Sequence, residues 1–230
     1  MHKKHFLFLF ILTLVSKISF SNTEFRDLEG KVFNYPGPNC FGVAMFANDN
    51  VRTIRGVDLE EFSSFVMASC QRVESPIAGD IGTFHNGQDF IHAFMYLGND
   101  FVLEKTGVDY LGQTPIHIRD ISHTIFTFEA SPECRRYGRG DRSCYNKLAF
   151  YRCQKGVSYH GEILSSLEDK IESGFKSLLE GEGILEEVVI ELTELILDYE
   201  RRVSLEPRNP MLSGRVISYQ KQLLFLKRSI

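Results

Sequence analysis

The hydrophobic pattern of the chain changes near residue 156, and this change limits the fold more than any other feature. Before it, short apolar runs alternate with turns that contain Gly, Asn or Pro, which is typical of β-strands. After it, apolar residues recur at spacings of three and four, as on one face of an α-helix. The sequence therefore predicts an α+β domain over residues 22–155, followed by an α-helical C-terminal extension over residues 156–230.

In the first region, two helices are expected before a series of strands. The helices are predicted over residues 40–48 and 59–71, and Asp58 with Glu61 forms a capping pattern at the start of the second. An Asn-Gly pair at 86–87 marks a hairpin turn. Strands are predicted over residues 81–84, 90–97, 101–105, 115–118, 125–128 and 147–152. Helices followed by such a meander fit an α+β architecture with an antiparallel sheet.

The extension is acidic. Residues 162–206 contain 13 Asp or Glu and 4 Lys or Arg, which gives a net charge of −9. Gly residues at 181 and 183 and Pro residues at 207 and 210 divide the extension into three helices. We expect an apolar core stripe and a solvated acidic face. Binding of a protein partner or self-association through residues 156–230 is the alternative.

Residues 1–21 are typical of a secretory signal peptide. A basic start is followed by ten uncharged, apolar residues at 6–15 and by small residues before Asn22. The apolar run is shorter than the roughly 20 residues that span a bilayer. We therefore expect a periplasmic or secreted protein with no membrane span after cleavage. The formal net charge of −4 gives no reason to expect a nucleic-acid partner.

All five cysteines lie after the predicted signal peptide. In an oxidising compartment an odd number leaves one thiol without an intramolecular partner. If Cys40 is that thiol, the other four can form two disulfides of undetermined connectivity, with a bridge across the loop at 133–144 as the first expectation. These four are Cys70, Cys134, Cys144 and Cys153. The chain has no Cys-x-x-Cys pair, and its His residues do not lie at ligand spacing with the Cys residues, so neither a metal nor another cofactor is expected.

Cys40 and His92 are the candidate nucleophile and base. Cys40 follows a Pro/Gly turn and begins an apolar helix, where the positive end of the helix dipole favours a reactive thiolate. His92 begins a short apolar stretch that reads as a strand. A rigid strand can hold an imidazole against a thiolate, as cysteine nucleophiles require.

The order of these motifs resembles the NlpC/P60 family of papain-like cysteine peptidases. Three motifs show the resemblance. They are Cys-Phe-Gly at 40–42, Gly-Asp at 79–80, and the run from His92 to Tyr-Leu-Gly at 96–98. It covers roughly residues 30–155. The family has Asp before the cysteine and Ser after it, where this chain has Asn39 and Phe41.

The resemblance implies a papain-like helix-plus-sheet domain and an exported hydrolase of peptide or amide bonds in bacterial cell-wall peptides. A third polar residue, often His in the family, orients the catalytic His from the next strand. Glu104 occupies that place here, and a carboxylate there can stabilise the imidazolium. The backbone N–H of Cys40 and one more donor would hold the oxyanion, and Tyr35 is the candidate donor.

Two alternatives stay open from the sequence. In a circularly permuted papain-like arrangement, His92 would pair with Cys144, and the enzyme would hydrolyse or transfer acyl groups. In the other, the site is degenerate and the protein is an exported binding protein that acts through its acidic helices.

Overall fold

The computed structural model describes residues 25–33, 37–87, 89–106, 114–129, 146–155, 162–181, 184–206 and 209–228. This part of the chain forms a six-stranded antiparallel sheet and six α-helices. The predicted α+β class is therefore confirmed. The predicted signal peptide, residues 1–21, lies outside these ranges. The predicted domain boundary between residues 155 and 156 falls where one described range ends.

The elements follow each other in a helix–sheet–helix order. A short 3-10 turn, Arg26–Leu28, precedes the first helix. The helices are α1 (Cys40–Ala47), α2 (Leu59–Ser69), α3 (Ile121–Phe128), α4 (Glu162–Glu180), α5 (Leu185–Val203) and α6 (Pro210–Lys227). The strands are β1 (Cys70–Val73), β2 (Ile81–Asn86), β3 (Asp89–Gly98), β4 (Phe101–Lys105), β5 (Ile116–Asp120) and β6 (Lys147–Cys153).

Short polar side chains start several helices. Asn39 accepts a hydrogen bond from the Gly42 amide at α1, and Asp58 accepts one from the Glu60 amide at α2. Asn209 does the same at α6, whose first residue is a proline. Such caps satisfy amides that have no partner within the helix. The predicted start of α2 at its Asp cap is confirmed.

The strands lie in the order β1-β6-β2-β3-β4-β5, and all pairings are antiparallel. A turn at Gly87, whose φ of +62° suits glycine, connects β2 and β3. β3 and β4 are joined by a turn at 98–100. The chain returns to the sheet as β6, which inserts between β1 and β2.

Each face of the sheet is covered by helix. Ala93, Met95 and Leu103 belong to the core that includes α1 and α2. Phe84, Phe94 and Val102 form a second core on which residues of α3 pack. Because α1 also contacts β3 and β4, the first residue of α1 lies beside the central strands.

Two predicted elements were wrong. Residues 125–128 are the end of α3, not a strand, and α2 ends at Ser69, after which 70–73 form edge strand β1. The run Ile-Phe-Thr-Phe at 125–128 is too short to distinguish strand from helix by its pattern. Asp120 decides the outcome, since it accepts a hydrogen bond from the Ser122 amide and caps a helix there.

A disulfide between Cys70 and Cys153 joins β1 to β6, with the two Cα atoms 4.0 Å apart. It uses two of the four predicted disulfide cysteines. The other two, Cys134 and Cys144, lie outside the described residues, as does the loop at 133–144. Among the residues described, no helix has the length and apolar character needed to cross a membrane.

The three C-terminal helices have a core of their own. Ile171, Phe175, Leu192, Ile196 and Tyr199 are buried in it, together with residues of α6. α6 also lies along α2, so the C-terminal helices pack directly against the α+β region.

Candidate active site

Cys40 is the first residue of α1. The chain turns into the helix there because the Asn39 side chain accepts a hydrogen bond from the Gly42 amide at 2.9 Å. The Cys40 side chain is half-buried and its thiol is free. α1 packs against β3 and β4. The nucleophile candidate therefore sits at the positive end of a helix, next to the strands that carry the other two predicted residues.

His92 lies on β3 and is buried, with 1% of its surface exposed. Phe84 pairs with His92, while the next residue, His85, pairs with Phe90, so Ile91 is an extra residue in β3. Such a bulge twists a strand locally and redirects the side chains beside it. The imidazole stacks on the Phe128 ring of α3, with the ring centroids 3.8 Å apart and the planes within 8°.

Glu104 lies on β4 and is completely buried. His92 Nε2 is 2.7 Å from Glu104 Oε2. Because an ionised carboxylate only accepts hydrogen bonds, Nε2 carries the proton in this contact. Cys40 is the other side chain whose proximity raises the pKa of His92, so the imidazole lies between the thiol and the carboxylate. The structure thus brings together Cys40, His92 and Glu104, which we call the triad.

Two more side chains hold the second carboxylate oxygen of Glu104. Thr124 Oγ1 donates to Glu104 Oε1 at 2.9 Å, and Arg119 Nε lies 3.2 Å from the same oxygen. The sequence reasoning missed both. Arg119 lies on β5 diagonally across from Glu104, since Val102 pairs with Arg119 and Glu104 pairs with His117. Thr124 was missed because residues 125–128 were predicted to form a strand. A helix that follows an Asp cap after β5 was the signal that would have found it.

The environment of His92 favours its charged form. Burial alone lowers the pKa, but the hydrogen bonds and charges of Cys40 and Glu104 outweigh burial and raise the pKa of His92 to about 9. At pH 7 the imidazole is therefore protonated on both nitrogens. Such a ring can stabilise a neighbouring thiolate and later donate a proton.

Two polar residues of the sequence motifs, Asn39 and Asp80, have structural roles. The Asn39 amide group donates to the Val57 carbonyl at 2.7 Å, and its oxygen accepts from the amides of Gly42 and Val57. Asp80 accepts two hydrogen bonds from Arg152 and one from the Ile77 amide. Both side chains are occupied in holding backbone or a neighbouring strand.

The remaining predicted site residues cannot be placed. Tyr35, the candidate oxyanion donor, lies outside the described residues, and so does Cys144, the nucleophile of the permuted alternative. In the described ranges, no group of three or more His, Cys, Asp or Glu side chains is arranged to hold a metal ion.

Comparisons with protein-family models, with curated proteins and with solved structures each gave no match. The resemblance to the NlpC/P60 family stays a prediction, and the chemistry of the triad is the basis for a functional proposal.

Proposed function

We propose that the protein is an exported thiol hydrolase that cleaves peptide or amide bonds in bacterial cell-wall peptides. The observation that carries the proposal is the position of His92, which is buried between a free thiol and a carboxylate. A buried histidine with these two partners and a pKa raised by them is typical of a catalytic acid–base. The cell-wall substrate and the export come from the sequence resemblance and from the signal-like residues 1–21.

The triad supports a two-step hydrolysis. The thiolate of Cys40, whose proton has passed to His92, attacks the carbonyl carbon of the amide. A C–S bond forms and the carbonyl oxygen becomes an oxyanion. The oxyanion collapses, the C–N bond breaks, and His92 donates its proton to the leaving amine. A water molecule, deprotonated by His92, then attacks the thioester. The C–S bond breaks, the acid is released, and the Cys40 thiolate and protonated His92 are restored.

Glu104 supports these steps without exchanging protons with the substrate. Its Oε2 fixes the orientation of the ring through Nε2 and stabilises the imidazolium by charge. Thr124 and Arg119 fix the carboxylate in turn. Side chains from three further elements, β4, β5 and α3, therefore fix the orientation of His92 towards Cys40.

The decisive experiment combines thiol labelling with a cleavage assay. We would label the purified, oxidised protein with iodoacetamide from pH 4 to 9, map the modified peptide, and incubate the protein with peptidoglycan-derived peptides followed by mass spectrometry. Fast labelling of Cys40 that is lost in His92→Gln, together with cleavage that is lost in Cys40→Ala, is the expected result. His123→Gln, which changes an exposed histidine on α3, is the matched control and should behave like wild type.

Other outcomes would point elsewhere. Fast labelling of Cys144 would favour the permuted acyl hydrolase or transferase. If Cys40 is labelled slowly and at the same rate in wild type and His92→Gln, the enzyme proposal is refuted. An exported binding protein that acts through its acidic helices is then the remaining alternative.

A further inference from the structure

A loop next to the triad is held from two sides. Residues 51–58, which we call the linking loop, connect the end of the α1 region to the start of α2. On one side the loop contacts the residues that start α1. On the other side it contacts the C-terminal helices α4 and α6.

On the triad side, the linking loop is bound to the beginning of α1. The Val57 amide donates to Asn39 Oδ1 at 3.1 Å, and the Asn39 amide group donates back to the Val57 carbonyl at 2.7 Å. Gly42 packs directly on the loop, since a Cβ at this glycine would lie 1.7 Å from the Arg55 carbonyl oxygen. The position of Cys40 thus depends on the position of this loop.

On the other side, one carboxylate of α4 holds the loop backbone. The amides of Arg52 and Thr53 both donate to Glu172 Oε2 at 3.0 Å. Arg55 Nε donates to Glu172 Oε1 at 3.2 Å. Glu172 is buried, with 3% of its surface exposed. Tyr219 Oη of α6 donates to the same Oε1 at 3.2 Å, so the buried carboxylate binds four donors, three of them from the linking loop. Removing the carboxylate would leave the two loop amides without this partner.

Residues of α6 hold the remainder of the loop. Ser218 Oγ accepts from the Asp58 amide at 2.8 Å, and Gln222 Nε2 donates to the Gly56 carbonyl. Arg215 Nε lies 3.0 Å from Glu61 Oε1, and Glu61 in turn binds the completely buried Arg55 guanidinium with both oxygens. Four charged side chains from three helices and the loop therefore form one buried network.

We propose that the C-terminal helices hold Cys40 in its reactive position through the linking loop, with Glu172 as the main positioning residue. This inference rests on the proposed function. Glu172 never touches the reacting atoms. It fixes the loop, the loop fixes Asn39 and Gly42, and these set the first turn of α1. The C-terminal helices then contribute to the hydrolase through their buried contacts with the linking loop. Their acidic surface takes no part in this role.

The test uses the full chain and Cys40 itself as the probe. We would measure the rate of Cys40 alkylation by iodoacetamide in wild type, Glu172→Ala and Glu172→Gln, at a temperature where circular dichroism shows each protein folded. Because small displacements in an active site reduce rates strongly, Glu172→Ala should slow alkylation about tenfold or more. Glu172→Gln keeps an oxygen that can accept from the loop amides, so it should retain most of the wild-type rate.

A matched control separates positioning from lost stability. Ile196→Ala opens a cavity in the core of the C-terminal helices without touching the linking loop. It should leave the alkylation rate unchanged while lowering the melting temperature. Equal slowing in Ile196→Ala and Glu172→Ala, or a wild-type rate in Glu172→Ala, would overturn the proposal.

If Glu172→Ala does not fold, the double variant Ser218→Ala, Gln222→Ala removes two neutral contacts to the same loop and is judged by the same criterion. Failure of the proposed function has its own signature, in which wild type and His92→Gln label at the same slow rate. That result overturns both proposals. A rate that depends on His92 but not on Glu172 overturns the positioning role alone.

Discussion

The protonated state of His92 should make the stability of the protein depend on pH. Burial lowers the pKa of His92, but the hydrogen bonds and charges of Cys40 and Glu104 raise it to about 9, above its ordinary value of 6.5. A histidine whose pKa is raised on folding adds stability that is fully present below pH 6.5. This stability is lost as the pH rises through about 9. With about 1.4 kcal/mol for each pH unit, the contribution is about 3 kcal/mol.

The assay is urea unfolding at pH 6.0 to 9.5 on wild type and His92→Gln, with the disulfide intact. Other groups titrate in this range too, so the informative quantity is the difference in the free energy of unfolding between the two proteins. This difference should shrink by about 3 kcal/mol between pH 6.5 and 9.5. A histidine-labelled NMR titration reads the same group directly, and the His92 signal is assigned by its loss in the variant.

Two results would refute this reasoning. The first is a difference in stability that stays constant from pH 6.5 to 9.5. The second is an NMR titration of His92 at or below 6.5, since the ring would then be neutral at pH 7 and neither Cys40 nor Glu104 would compensate for burial. His123→Gln is the control for both measurements, because its exposed side chain should leave the pH dependence unchanged.

Three further changes have expected outcomes. Gly42→Ala places a Cβ 1.7 Å from the Arg55 carbonyl oxygen and should cost about 3 kcal/mol in urea unfolding and slow Cys40 labelling, whereas Gly56→Ala, where the nearest atom is 3.6 Å away, should be nearly neutral. Cys70→Ser opens a disulfide that closes a separation of 83 residues, and in urea without reductant it should lower the free energy of unfolding by about 4 kcal/mol, whereas an unchanged value would contradict the bridge. Thr124→Val removes one of the donors to the buried carboxylate of the triad and should cost about 2 kcal/mol in urea unfolding, and an unchanged free energy of unfolding would contradict the contact.

Local sequence patterns identified the parts of the site that depend on neighbouring strands. His92 and Glu104 lie on strands joined by a tight turn, and the pairing of Met95 with Leu103 places Glu104 diagonally across from His92. The apolar alternation and the turn at 98–100 predict the two strands and their antiparallel pairing, but the bulge between Tyr96 and Gly98 that shifts the register has no signal in that pattern. The Pro/Gly turn before Cys40 likewise predicted the start of its helix, which Asn39 caps in the structure.

Contacts between distant segments were beyond such patterns. Thr124 reaches Glu104 only because an Asp cap turns a short apolar run into a helix, and the run alone is equally compatible with a strand. Glu172 binds the linking loop across a separation of about 120 residues, and nothing in the spacing of charges on α4 distinguishes it from its solvated neighbours. The Cys70–Cys153 pairing was undetermined for the same reason, since four cysteines allow three connectivities.

The carboxylate in the triad changes how the proposed chemistry must begin. Burial alone would favour a neutral imidazole, and a neutral partner for Nε2 would do little to oppose that. Glu104 adds a negative charge at 2.7 Å, and its own donors Thr124 and Arg119 keep that carboxylate fixed in place. Cys40 contributes more than Glu104 to the raised pKa of His92, and with both partners the imidazole carries its proton at pH 7 before any substrate binds. In the proposed hydrolysis, His92 would serve first as the acid for the leaving amine and would become a base only after that proton has been transferred. The alkaline limb of activity should consequently follow the loss of this proton near pH 9, and Glu104→Gln should move that limb towards neutral pH.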